Sequence, residues 1–530
     1  MALWFAGEEF TDEERALLAP HFTNLDGPVF ALVNLPEVTK GALFARYSRS
    51  PKSVRRLFLD EFADQAHAGG EAMAVGAARA EDLYERVFLE YGDDSVAQLG
   101  GVHLACEQSS QILAKVLEWG RLAAYLEQST RYVPYDDRPG GRYRYAIPPE
   151  VEAAGLGERF AEVCDRAFET YATWLEPLQA FYRERFPQGE DSDFVYRSTI
   201  RAKTCDTLRG LLPAATRTNV GIYATGQAYE QLLLRMRANP LEEVRTCADA
   251  MLVELRKVIP AFLRRVDLPD RGVAWSEYLA GTKERVAAVA HELFGDEPAA
   301  DRPEVLLTDA DPDGEVKVAA AAMYAATGLP DDALLERARK LTDDERRRVI
   351  EAYAGTRANR RHRPGRAFER TDYRFDVLCD YGAFRDLQRH RLLTIEWQRL
   401  SPAHGFEMAP EIEEAGALED WTRTMEESAA LHDELASGTS PEVAQYAVSM
   451  AYRVRFVMQM NAREAMHLIE LRSTPQGHPV YRRVAQRMHE LIAEVHPAIA
   501  AAMTFVDHSS VELERLEAER RTEARRQATE

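Results

Sequence analysis

Arg389-His390-Arg391-Leu392-Leu393-Thr394-Ile395-Glu396-Trp397-Gln398-Arg399-Leu400-Ser401-Pro402 is one of two stretches that organise this chain. The other lies far upstream: Trp119-Gly120-Arg121-Leu122-Ala123-Ala124-Tyr125-Leu126-Glu127-Gln128-Ser129-Thr130-Arg131-Tyr132. The later stretch opens on Arg-His-Arg and does not end in the Glu-x-Ser-x-Arg-Tyr series. The earlier one ends in that series and does not open on Arg-His. Spacing of i, i+2, i+4 places Glu127, Ser129 and Arg131 on one face of an extended segment. A carboxylate, a hydroxyl and a guanidinium on one face suit a phosphorylated, hydrogen-bonding ligand. From spacing alone, a surface loop with an internal salt bridge is the commoner outcome.

The chain has 530 residues, more than one hydrophobic core normally serves, so about two to four domains are expected. Its 46% hydrophobic and 29% charged content is that of a soluble globular protein. A net charge of -21 argues against nonspecific binding to nucleic acid or anionic membranes. The five cysteines are scattered without a CxxC pair, which fits a reducing compartment and neither a disulfide framework nor a zinc site. No basic region followed by an apolar core opens the chain, and no apolar run reaches the roughly 20 residues of a membrane helix. A cytoplasmic protein is expected.

Each half opens with an apolar run, a polar turn and a helical pattern. These are Phe30 to Glu37 leading into Ala42 to Tyr47, and Val305 to Pro312 leading into Val318 to Tyr324. The Gly-, Pro- and acid-rich stretch from Gly295 to Pro303 reads as a linker. It divides the chain into domains 1–295 and 296–530. Amphipathic helices are expected over 160–181 and 241–263. The Glu- and Arg-rich tail 511–530 reads as an exposed charged helix that frays.

From Arg357 to Arg399, arginines crowd an otherwise acidic protein. That density suits a dianion or a pyrophosphate, or else a basic face docked on an acidic one. In Asn461-Ala462-Arg463-Glu464-Ala465-Met466-His467-Leu468-Ile469-Glu470-Leu471-Arg472, helical spacing puts Asn461 and Arg472 on one stripe. Arg463, His467 and Glu470 line a neighbouring one, with an intrahelical His467–Glu470 pair as the plain alternative. No Gly-rich phosphate loop or HExxH is present. No metal site is read, because the Arg-His-Arg histidine and His478 lack evident carboxylate partners.

Together the two stretches resemble the signature RHRxxSxNExSxRY of the flavin-dependent thymidylate synthases, split between two tandem copies. Arg209-Gly210-Leu211-Leu212-Pro213 resembles that family's Arg-x-x-Leu-Pro segment, and Asn461 to Arg472 its N-A-R…L-R helix. Phe368-Glu369, ahead of Arg389, resembles a further element, with Ser95-Val96-Ala97-Gln98 as its first-half parallel. The second copy has Gln445 and Ser449 where the first has Arg209 and Pro213, and the first has Gln227 and Tyr229 where the second has Asn461 and Arg463. The resemblance implies an α/β fold of the α+β type, two domains each with a curved antiparallel sheet and long helices. It implies FAD as cofactor, NADPH and methylenetetrahydrofolate as co-substrates, and methylation of dUMP. Glu127, Ser129, Arg131 and Arg209 would bind the nucleotide. Ser95, Glu369, Arg389, His390, Arg391, Asn461, Arg463 and His467 would bind the flavin, and Arg472 would contact and activate the pyrimidine. A homodimer would rebuild the family's tetramer. Two other readings stay open: a non-catalytic homologue that binds flavin or nucleotide, and a flavoenzyme acting on another uridine nucleotide.

Overall fold

The structure, a computed structural model, describes residues 8–27, 30–47, 52–61, 98–295 and 301–528. In chain order its main elements begin with β1 (Gly101–Ser110), α1 (Gln111–Leu117), β2 (Ala123–Glu127), α2 (Gly157–Arg185) and α3 (Asp193–Leu208). There follow β3 (Arg217–Thr225), α4 (Gly226–Arg237), α5 (Glu242–Arg256), α6 (Ala274–Phe294), β4 (Val305–Ala310) and α7 (Gly314–Tyr324). The chain continues through β5 (Asp372–Asp380), α8 (Tyr381–Leu387), β6 (Thr394–Trp397), α9 (Leu418–Gly438) and β7 (Arg453–Asn461). It ends with α10 (Ala462–Arg472), α11 (Pro479–Val495) and α12 (Leu516–Gln527). This is an α+β protein with two antiparallel sheets, ordered β1-β3-β2 and β4-β5-β7-β6.

The chain forms two compact units that do not follow the sequence halves. The first comprises 1–107, 122–127 and 219–295, and the second 108–121, 128–218 and 296–530. In the first, β2 pairs with β3 from Ala123↔Ala224 to Glu127↔Val220. Tyr229 of α4, wholly buried, donates its hydroxyl to the carbonyls of Val102 and Ile222. Of the two helices expected over 160–181 and 241–263, the first becomes α2, and the second stops at Arg256 and continues as a 3-10 turn over Pro260–Asp267. The expected helix before Tyr47 is present as Glu37–Tyr47. Residues 296–300 of the expected linker lie outside the described residues.

The second unit holds the larger sheet. Val454, Phe456, Met458 and Met460 of β7 are buried while their neighbours are not, the period-2 pattern of a strand with one face on the core. Phe375 and Val377 of β5 stand opposite Met458 and Phe456, and Ile395 of β6 is also opposite Met458. In the same unit, 210–215 and 446–451 are stitched by main-chain hydrogen bonds. These are Ala214 N to Val448 O (2.8 Å), Ala215 N to Tyr446 O (3.0 Å), Met450 N to Leu212 O (2.9 Å) and Ala451 N to Gly210 O (3.0 Å).

The tail forms the expected charged helix, with no buried residue, and surface pairs hold it: Arg520 forks onto Asp191 at 2.6 and 3.0 Å, and the Arg526 guanidinium lies 4.7 Å from the centre of the Phe194 ring. Just before it, Glu514 is buried and accepts from Lys203 at 2.9 Å. Among the described residues no helix is long and apolar enough to cross a membrane.

Candidate functional site

Within the second unit, four arginines from distant parts of the chain meet two carboxylates. Asp386 lies near the end of α8, three residues before Arg389; Asp206 lies near the end of α3, three residues before Arg209. Asp386 stands 3.4 Å from Arg389, 3.7 Å from Arg472 and 3.9 Å from Arg209. Burial alone would raise its pKa, but Arg389, Arg472, Arg209 and Arg131 together hold it far below the usual carboxylate range. Burial likewise works against the charge on Asp206, and Arg131 outweighs it, so this carboxyl also stays ionised.

Arg131 was expected to present its guanidinium to a phosphate, and the structure uses it otherwise. Its Nε donates to both Asp206 oxygens at 2.6 and 2.7 Å, Nη1 donates to Tyr481 Oη at 3.0 Å, and Nη2 also meets Asp206. The Tyr481 ring lies between two of the arginines, its centre 5.9 Å from the Arg131 guanidinium and 5.5 Å from that of Arg472. Arg131 and Arg472 are therefore within one nucleotide's reach of each other. The extended segment expected through Ser129 is instead a turn: Ser129 Oγ accepts from Arg131 N at 3.2 Å, and Ser129 O from Val133 N at 3.2 Å. Glu127, at the end of β2 and buried, belongs to the first unit. Ser95 falls outside the described residues.

A second cluster adjoins the first through Arg472. Arg472 Nε donates to His390 Nε2 at 3.0 Å, which makes that nitrogen the acceptor and leaves Nδ1 to donate to Glu464 Oε1, 3.0 Å away. Burial, with Arg472 adding to it, lowers the His390 pKa to about 4 despite Glu464. His467 Nδ1 lies 3.3 Å from the same Glu464 oxygen, and its Nε2 is 3.0 Å from Arg363 Nη2. The carboxylate partner that the sequence did not reveal for the Arg-His-Arg histidine is thus Glu464. The three residues place ligand-type atoms within 4.8 Å of one another. Arg363 and Arg472 donate to the outer nitrogens, so the cluster works as a hydrogen-bonded triad that fixes both imidazole tautomers. The intrahelical His467–Glu470 pair is not made: Glu470 accepts a bidentate fork from Arg357 at 2.6 Å on each oxygen.

β7 delivers α10 to this place. Asn461 ends the strand, and its side-chain oxygen caps the helix by accepting from Glu464 N at 2.9 Å. Arg463 reaches Pro364 O at 2.8 Å and Glu369 at 3.2 Å. These residues line a cavity of 270 Å³ with Arg363, Arg391, His467 and Arg121. Arg121, two residues into the upstream stretch that lacks Arg-His, donates to Thr394 Oγ1 at 3.1 Å. The structure therefore gathers Arg391, Glu369, Asn461, Arg463 and His467 around one cavity, and Arg131, Arg209, Arg389 and Arg472 around Asp386 and Asp206. His390 joins the two groups.

The model of the family "Thymidylate synthase complementing protein" matches residues 42–261 and again 304–498. The chain belongs to that family. It is 39% identical to a UPF0159 protein of Chlamydia muridarum over 97% of this chain and 99% of the relative. It is 31% identical to a UPF0159 protein of Thermoplasma acidophilum over 91% and 98%. A flavin-dependent thymidylate synthase of Clostridium tetani is 26% identical over 36% of this chain and 73% of its own length. Among solved structures, a UMP/dUMP methylase PolB from Streptomyces cacaoi bound with 5-Br dUMP aligns at 21% identity and a TM-score of 0.31. It covers 40% of this chain and 99% of that one.

Proposed function

We propose that this protein is an FAD-dependent, thymidylate-synthase-like enzyme that methylates dUMP, with methylenetetrahydrofolate as carbon donor and NADPH as reductant. The observation that carries the reading is the convergence on Asp386 of Arg131 and Arg209, from the first sequence half, with Arg389 and Arg472, from the second. Four guanidinium groups face two carboxylates there, and His390 is held neutral above about pH 4. The surplus positive charge suits a phosphate dianion. Arg131 is committed to Asp206, so Arg209, Arg389 and Arg472 would meet the phosphate and the developing charge on the pyrimidine. Arg131 would hold Asp206 and Tyr481 in place.

The donor set of the 270 Å³ cavity fits the anionic part of a dinucleotide. Arg121, Arg363, Arg391 and Arg463 would take the pyrophosphate, with Asn461 and Glu369 orienting it. When bound, the flavin would supply the hydride chemistry. The protein's own part is to bind, to orient, and through Arg472 to offer electrostatic stabilisation.

The same reading makes the chain a tandem pair of family domains, residues 1–295 and 296–530, assembling as a homodimer in the cytoplasm. Strand–helix–strand order recurs in β1-α1-β2 and β5-α8-β6, and strand-into-helix order recurs in β3-α4 and β7-α10. The corresponding stretches 210–215 and 446–451 also bond to each other. Both observations support the duplication.

The test is spectroscopic, then kinetic. Purified protein should carry a flavin absorption spectrum, and dUMP should stimulate its oxidation of NADPH. Protein that neither retains nor takes up flavin would remove the flavin reading. A flavoprotein indifferent to dUMP but responsive to another uridine nucleotide would move the substrate and keep the class.

A further inference from the structure

We propose that α6 is a docking surface for a second copy of this chain, the two helices pairing antiparallel over residues 283–294. The helix is anchored at its start. Ser276 Oγ donates to Leu234 O of α4 at 3.1 Å, and residues 279–282 are half-buried. From 283 to 295 every residue is exposed, so the remaining turns stand clear of the core. An isolated helix of about 12 residues is marginal in water, which makes a free end of this length a candidate for a partner. It also carries Val286, Val289, Leu293 and Phe294 in the open, 64%, 51%, 65% and 63% exposed. At about 3.6 residues per turn, Val286, Val289, Ala290 and Leu293 fall on one stripe, the i, i+3, i+4, i+7 seam of a helix that packs on another. A contiguous exposed apolar stripe marks an interaction surface. The helix lies between the two stretches that the family model matches, 42–261 and 304–498, so the proposal stands apart from the enzymatic reading.

The charges beside the stripe select the occupant. Arg285 and Glu292 lie on one flank of it, Lys283 and Phe294 on the other. Arg285 donates to Thr282 Oγ1 of its own helix at 2.9 Å, and among the described residues neither Arg285 nor Glu292 makes an ion pair within the chain. In an antiparallel pair related by a two-fold axis, like flanks meet. With the axis at the middle of the free segment, between 288 and 289, Arg285 stands opposite Glu292 of the partner subunit. Lys283 stands opposite the partner's Phe294, a cation beside a ring face. Val289 lies beside the partner's Val289 at the centre, and symmetry makes each flanking contact twice. A parallel pair brings unlike flanks together and would set Lys283 beside the partner's Arg285, a like-charge contact that disfavours it. The matched segment is about 18 Å long, a small interface, so the association is reversible and depends on concentration.

Sedimentation velocity and amide hydrogen exchange of the full chain, across a wide range of concentration, test the pairing. Sedimenting mass and protection of the amides of 283–294 should rise together as the protein is concentrated. Val289→Asp should abolish both. Arg285→Glu and Glu292→Arg should each weaken the association about tenfold or more, since each sets like charges against each other twice. The two reversals combined in one chain should restore it. All three positions are exposed in the single chain, so the variants keep the fold. Protection of α6 that is independent of concentration would mean that this chain covers its own helix, and no protection would mean that nothing does. Association unmoved by Val289→Asp would place the interface elsewhere, and a double reversal that fails to restore it would remove the antiparallel register. Each of these results overturns the proposal.

Discussion

His390 ties the site's chemistry to the stability of the fold. Its folded pKa of about 4 lies below the ordinary 6.5, so protonation favours the unfolded chain. Its contribution to stability is therefore complete above pH 6.5 and is lost as the pH falls toward 4. Asp380, raised from 3.8 to about 6, acts with opposite sign in the same window and flattens the overall curve. Comparison with His390→Gln isolates the histidine. The stability difference between wild type and variant, from urea unfolding, should shrink as pH drops from 6.5 to 4. A difference that stays constant across that range would mean His390 is not buried neutral. Arg389, His390 and Arg472 can be singled out in the sequence through the family resemblance of the stretches that hold them. Asp386, Asp206 and Glu464 cannot, since a lone carboxylate is common and only the fold shows what faces it. One signal was available: the spacing Asp-x-x-Arg occurs both at Asp206–Arg209 and at Asp386–Arg389.

Among the elements, α10 followed directly from pattern, because the helical spacing of Asn461 to Arg472 is a property of the segment itself. The turn at Ser129 did not, since a hydroxyl can serve either an extended strand or its own backbone two residues on. The tail's exposed charged helix is legible from its composition, but its attachment is not: the same charges suit a solvated helix and a docked one, and Lys203, the partner of Glu514, is remote in sequence. The two kinds of contact should differ in weight. Glu514→Ala leaves buried Lys203 with only Glu411 and should cost about 1–3 kcal/mol. Arg520→Ala removes a fork onto Asp191 made by a half-exposed side chain and should cost clearly less than the loss of Glu514. Thermal or denaturant unfolding of both variants checks the order, and equal losses would show that α12 is held as one unit by its surface pairs.

At the scale of the whole molecule, sequence halves and packing units are different partitions. A repeat boundary records how the chain is ordered; a packing boundary records which segments share a core, and residues 128–218 share theirs with the second half. Pattern within either half could not reveal that, because the bonds between 210–215 and 446–451 join segments remote in sequence. In the proposed enzyme one ligand site draws on both halves, through Arg209 from the first and Arg389 and Arg472 from the second. The direct measurement is calorimetric stoichiometry and affinity of dUMP for wild type, Arg209→Gln and Arg472→Gln, each verified as folded. One composite site requires a single class of binding that each substitution weakens, by about 2–5 kcal/mol for loss of a buried charged partner. Two independent classes of site, each abolished by only one substitution, or dUMP affinity indifferent to both, would contradict it.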